Sequence, residues 1–102
     1  MGTEKWNKEN DGPLSEQAMR RKLEAQGYQA SRYVYPPGTV FPEHTHEIDK
    51  IDAVLAGRFR MTIEGVSIVL EAGDWLVVPS GEVHSAEVVG DVPVVSLDAV
   101  RV

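Results

Sequence analysis

From Tyr28 to the end of the chain, apolar residues come in brief runs rich in Val, Ile, Tyr, Phe and Thr. Turn residues interrupt these runs at Pro36-Pro37-Gly38, Ala56-Gly57, Glu64-Gly65, Glu71-Ala72-Gly73-Asp74 and Pro79-Ser80-Gly81. Short β-favouring runs at this spacing, with no helical stretch between them, predict antiparallel strands that close into a sandwich or barrel. Closure also hides the strand edges. Ahead of them, Ser15 can cap a helix over about 15–26 that stops at Gly27, with Met19 and Leu23 one turn apart as its apolar face. Residues 1–13 are polar and lack periodicity, which predicts a flexible leader or an arm that packs on a partner subunit. The expected organisation is therefore a leader over 1–13 and one domain over 14–102, its β portion covering 28–102.

A chain of 102 residues supports one core, and 42% hydrophobic with 25% charged residues is the balance of a globular protein. A net charge of -6 argues against nucleic acid as partner, since that binding needs clustered Lys and Arg. No apolar stretch approaches the roughly 20 residues of a membrane span, and the amino terminus has no apolar signal core, so no membrane partner and a cytoplasmic location are expected. With no cysteine, any metal site must use imidazole and oxygen.

The chain has three histidines, two of them standing as His44-Thr45-His46. On a strand, alternate side chains share a face, so this pair is expected to send both imidazoles into one space. His84 follows the Pro79-Ser80-Gly81 turn, where a chain reversal can bring a third imidazole back to the first two. The alternative is that the three rings are ordinary barrel residues satisfied by other hydrogen bonds, at a desolvation cost of a few kcal/mol if they are not.

The spacing resembles that of the cupins. Their first motif is Gly, five residues, His-X-His, three or four residues, Glu, six residues, Gly; this chain has Gly38, His44, His46, then Lys50 in place of the Glu, then Gly57. Their second motif is Gly, five residues, Pro-X-Gly, two residues, His, three residues, Asn; this chain has Gly73, Pro79, Gly81, His84, and Val88 in place of the Asn. The motifs span about half the chain. The resemblance implies an all-β fold, the double-stranded β-helix or jelly-roll barrel, with one short helix at its amino-terminal side. It also implies a divalent metal on His44, His46 and His84. Imidazole suits Fe, Ni, Zn and Cu, and the family adds Mn. Gly57, Gly73 and Gly81 are read as turn residues, and Phe41, Phe59 and Trp75 as core or pocket walls.

Lys50 departs from the family at a position whose Glu is usually a fourth, inward-facing ligand. An ammonium about 4 Å from a divalent ion at an effective dielectric near 20 would be repelled by about 8 kcal/mol. Three placements avoid this: Lys50 turns away onto Asp49, Asp52 or Glu47; it loses its proton; or it stands further off and grips an anionic ligand. Strict alternation from His46 puts Lys50 and Asp52 inward, with Asp52 as Lys50's partner or a substitute oxygen ligand. The other acids near the first motif, Glu43, Glu47 and Asp49, are read as a solvated rim.

Three function classes follow. One is a metal-dependent enzyme, similar to dioxygenase-type or isomerase-type cupins, acting on a small anionic or oxygen-rich molecule. A second is a cupin that binds or senses a ligand without turnover. The third is an assembly module in which the apolar segments 66–70 and 93–97 pair across a dimer. A homodimer is expected under all three. No phosphate loop, serine elbow or nucleophile-base pair supports nucleotide or acyl-transfer chemistry.

Overall fold

The computed structural model describes residues 3–102 as two packed antiparallel sheets with two helices at the amino-terminal side. The strands in chain order are β1 (Thr3–Lys5), β2 (Tyr28–Tyr35), β3 (Val40–His44), β4 (Lys50–Ala56), β5 (Phe59–Ile63), β6 (Val66–Leu70), β7 (Asp74–Val78), β8 (His84–Val88) and β9 (Val94–Arg101). One sheet has the order β1-β7-β4-β9-β2 and the other β3-β8-β5-β6. This is the double-sheet jelly roll, in which the chain passes repeatedly from one sheet to the other and stays within a sheet at the β5–β6 hairpin.

Period-two alternation sorts the large sheet into two buried faces. Val54, Leu76, Val78 and Val94 point between the sheets, where they meet Phe59, Met61, Ile63 and Leu70. Ile51, Ala53, Trp75, Leu97 and Ala99 point the other way and are covered by the helix α2 (Glu16–Ala25) through Met19 and Leu23, neither of which has any exposed surface. The helix begins where Ser15 Oγ accepts the Ala18 amide and ends before Gly27, which has φ +91°. Gly57 closes the β4–β5 connection at φ +80°, and a Cβ there would stand 2.4 Å from the Pro93 carbonyl oxygen. Only glycine fits that approach.

Two expectations are corrected here. Residues 3–13 are built into the domain: β1 pairs with β7, a one-turn helix α1 spans Lys8–Asp11, and the Trp6 amide donates to the Gly73 carbonyl at 2.8 Å. Trp6 joins the core beneath α2, and Lys22 of α2 holds Asp11 at 3.0 Å. A three-residue strand is too short to show a period, so hydropathy missed it. The 93–97 segment cannot pair across a dimer, because β9 is hydrogen-bonded on both sides, to β4 and β2. The 66–70 segment, as β6, does lie on a sheet edge. No helix among the described residues is long and apolar enough to cross a membrane.

Candidate metal centre

His44 ends β3 and stands opposite His84, the first residue of β8, so the ladder alone brings these two rings together. His46 lies two residues beyond the end of β3, and the β3–β8 register already shifts between Phe41 and His44. Strand alternation therefore does not place His46. The Pro79-Ser80-Gly81 turn does: the Gly81 amide donates to the His46 carbonyl at 2.9 Å, and the Ser80 amide donates to Asp49 Oδ1 at 2.8 Å. These two bonds tie the loop carrying His46 to the turn that precedes His84.

The ring centroids are 4.2 Å apart for His44 and His84, 4.7 Å for His44 and His46, and 5.0 Å for His46 and His84. One ring nitrogen from each lies within 4.8 Å of the others. His44 Nδ1 donates to the Pro42 carbonyl at 2.7 Å and His84 Nδ1 to the Glu82 carbonyl at 2.9 Å. A carbonyl can only accept, so both rings carry a proton on Nδ1 and present Nε2 as the atom that a metal would take. Burial pushes the pKa of His84 below that of a free imidazole, and burial with the nearby Lys50 charge does the same to His46. Three imidazoles gathered this closely are a donor set that Fe, Mn, Ni, Zn or Cu accepts, so these residues fit a divalent ion.

The three rings share a cavity of about 60 Å³ with Tyr35, Phe41, Phe59, Lys50, Asp52 and Asp98. Lys50 faces inward, and its Nζ lies 2.9 Å from Asp98 Oδ1 and 3.0 Å from Oδ2. Asp98 sits directly across from Asp52 in the β4–β9 ladder. Burial, then repulsion from Asp98, push the Asp52 carboxyl up to about 7 although Lys50 opposes the shift. Burial and the same two acids hold the Tyr35 hydroxyl well above its ordinary range.

The structure thus brings His44, His46, His84, Lys50 and Asp52 to one cavity, with corrections in detail. Lys50 does not turn away, and its partner is Asp98 rather than Asp49, Asp52 or Glu47. Asp52 is not among the ligating atoms that gather around the histidines. Glu43 and Glu47 are exposed as a rim, whereas Asp49 is engaged by Ser80. Phe41 and Phe59 wall the pocket, and Trp75 lies in the core under α2. Asp98 and Tyr35 were missed. The available signal for Asp98 was its place as a lone acid in an apolar strand, in phase with the inward Val94 and Ser96.

No curated protein matches the chain. Among solved structures, a cupin protein from Bacteroides fragilis is similar at 28% identity and TM-score 0.65, covering 81% of this chain and 72% of its own. KdgF from Halomonas sp. is similar at 27% identity and TM-score 0.65, covering 74% of this chain and 71% of its own. The DMSP lyase DddQ from Ruegeria pomeroyi DSS-3 is similar at 30% identity and TM-score 0.66, covering 74% of this chain. This chain spans only 39% of that lyase. The family model described as the cupin domain matches residues 31–100, a stretch that holds all nine cavity-lining residues named above. By that match, and by the jelly roll that carries it, the chain belongs to the cupin family.

Proposed function

We propose that this cupin holds one divalent metal on His44, His46 and His84 and acts as a metal-dependent enzyme, dioxygenase-like or isomerase-like, on a small anionic or oxygen-rich molecule. The observation that supports this most is the pair of Nδ1 bonds to Pro42 and Glu82, which orient two of the three gathered rings and leave Nε2 of each as the atom open to a metal. A metal bound there would act as a Lewis acid on a ligand oxygen. Three neutral ligands leave its double charge uncompensated, and Lys50 with Asp98 adds none, so an anion is the favoured guest. Phe41, Phe59 and Tyr35 supply the apolar and aromatic surface against which it would be oriented and shielded from water. The DMSP lyase among the similar structures supports small-molecule chemistry in such a barrel.

The second reading, ligand binding or sensing without turnover, is favoured by the cavity's size. At about 60 Å³ it is small, so a ligand of more than a few atoms must extend through the mouth. A cytoplasmic location is part of the same proposal, and so is a homodimer through the β6 edge, where Val66 is 58% and Val69 38% exposed. To separate the readings, protein loaded in turn with Fe(II), Mn(II), Ni(II) and Zn(II) is screened against small carboxylates, with thermal shift and mass-spectrometric loss of the compound measured together. Stabilisation with turnover that disappears in His84→Ala supports the enzyme. Stabilisation without turnover supports the binding module, and no stabilisation by any anion refutes both.

A further inference from the structure

The inner wall facing the histidines presents two carboxylates and one cation. Asp52 and Asp98 are direct partners across the β4–β9 ladder, where side chains are about 5 Å apart. Lys50 is the one Lys or Arg among the residues lining the cavity, and its ammonium is committed to both oxygens of Asp98. The remaining charged or titratable groups facing this wall are Tyr35 from β2 and the three imidazoles of the opposite sheet, with Tyr33 stacked on Tyr35. None of these supplies Asp52 with a counter-charge. Two like charges in a small cavity with aromatic walls are costly, and one proton removes the repulsion. The Lys50 ammonium lies on Asp98, so the carboxyl without a cation of its own, Asp52, is where that proton is held.

We infer that Asp52 stands as a neutral carboxylic acid in the Asp52–Lys50–Asp98 cluster and donates its O–H to an anionic ligand whose other end lies at the three histidines. This deepens the proposed function and rests on it for the ligand. The cluster is then net neutral, so it does not repel an anion, and Lys50 plays its part through Asp98. The upward push on the Asp52 carboxyl, from burial and from Asp98, agrees with the geometry. The consequence is a specificity rule: the wall favours ligands that present a hydrogen-bond acceptor there, and it loses that preference as Asp52 ionises.

The first arm of the test is a ¹³C carboxyl NMR titration of the full chain, metal-free. Asp52 is expected to titrate near 7, as its surroundings dictate, and to move down in Asp98→Asn. A midpoint near 4, the ordinary carboxylate range, overturns the inference. In the second arm, calorimetry measures oxalate binding to zinc-loaded protein between pH 6 and 8.5. Affinity is expected to fall by up to tenfold per pH unit above 7 in the wild type, more steeply than in Asp52→Asn, whose amide stays a neutral donor. Equal slopes in the two proteins overturn the ligand-facing role. Failure of the protein to take up zinc would end the metal reading instead, and the Asp52 midpoint still decides where the proton sits.

Discussion

Replacing Lys50 with Met separates an ammonium committed to the fold from one held free to grip a ligand. Met retains most of the stem and removes only the charged head, leaving Asp98 with both oxygens stripped of their partner at 2.9 and 3.0 Å. The two side chains are only 15% and 21% exposed, so the pair lies nearer the buried limit than the surface one. Breaking a buried pair costs about 3–5 kcal/mol, whereas exposed pairs contribute about 0–1 kcal/mol. Partial solvent access here puts the expected loss at about 2–3 kcal/mol. The measurement is urea unfolding at pH 7 of wild type, Lys50→Met, Asp98→Asn and the double variant. The double variant should recover at least half of the loss, because no unpaired charge remains in it. A Lys50→Met protein within about 0.5 kcal/mol of wild type would refute the reasoning, for it would mean that Asp98 loses nothing when the ammonium goes.

Other expectations follow from the same contacts. Asp52, raised from 3.8 to about 7, keeps its proton in the folded chain while the unfolded chain has lost it, so stability falls as pH rises between those values. Asp52→Asn lacks this slope; its advantage over wild type in urea unfolding should grow by about 1.4 kcal/mol per pH unit from pH 4 to 7 and then level off near 4 kcal/mol. An advantage that does not change with pH contradicts the assignment. Gly57→Ala combines a left-handed φ with a Cβ 2.4 Å from the Pro93 carbonyl oxygen, and should lower stability by about 3 kcal/mol or more in thermal or urea unfolding. Trp6→Ala removes a side chain packed under α2, its indole bond to the Gly12 carbonyl at 2.9 Å and its cation–π contact with Lys22, and should cost about 2–3 kcal/mol; an unchanged midpoint would show that the amino-terminal segment does not belong to the domain.

Much of the fold was legible because local chemistry and global packing agree. Ser15 and Gly27 mark the helix ends, and the glycine and proline turns divide the strands, so a β sandwich or barrel with a short helix follows from the residues, and the resemblance of the two motifs to those of the cupins adds the jelly roll. What escaped was decided by contacts distant in sequence. His46 reaches the other two rings through its carbonyl bond from Gly81, 35 positions away, and not by the alternation of a strand that has already ended. Lys50 faces inward because Asp98, 48 positions on, is there to receive it. The nearby acids Glu47, Asp49 and Asp52 were the natural candidates only when distance along the chain stood in for distance in space. Trp6 shows the same effect: a residue in a polar, aperiodic stretch becomes core because Gly73 leaves room for its Cβ and Lys22 of α2 lies over its ring.

Whether His44, His46 and His84 hold a single ion is decided by metal stoichiometry. Tag-free protein and its His44→Ala, His46→Ala and His84→Ala variants are dialysed against the same buffered divalent metal and their content measured by elemental mass spectrometry. Close to one equivalent is expected in the wild type, with a fall of at least tenfold in affinity in every variant. Equal trace metal in all four proteins would contradict it.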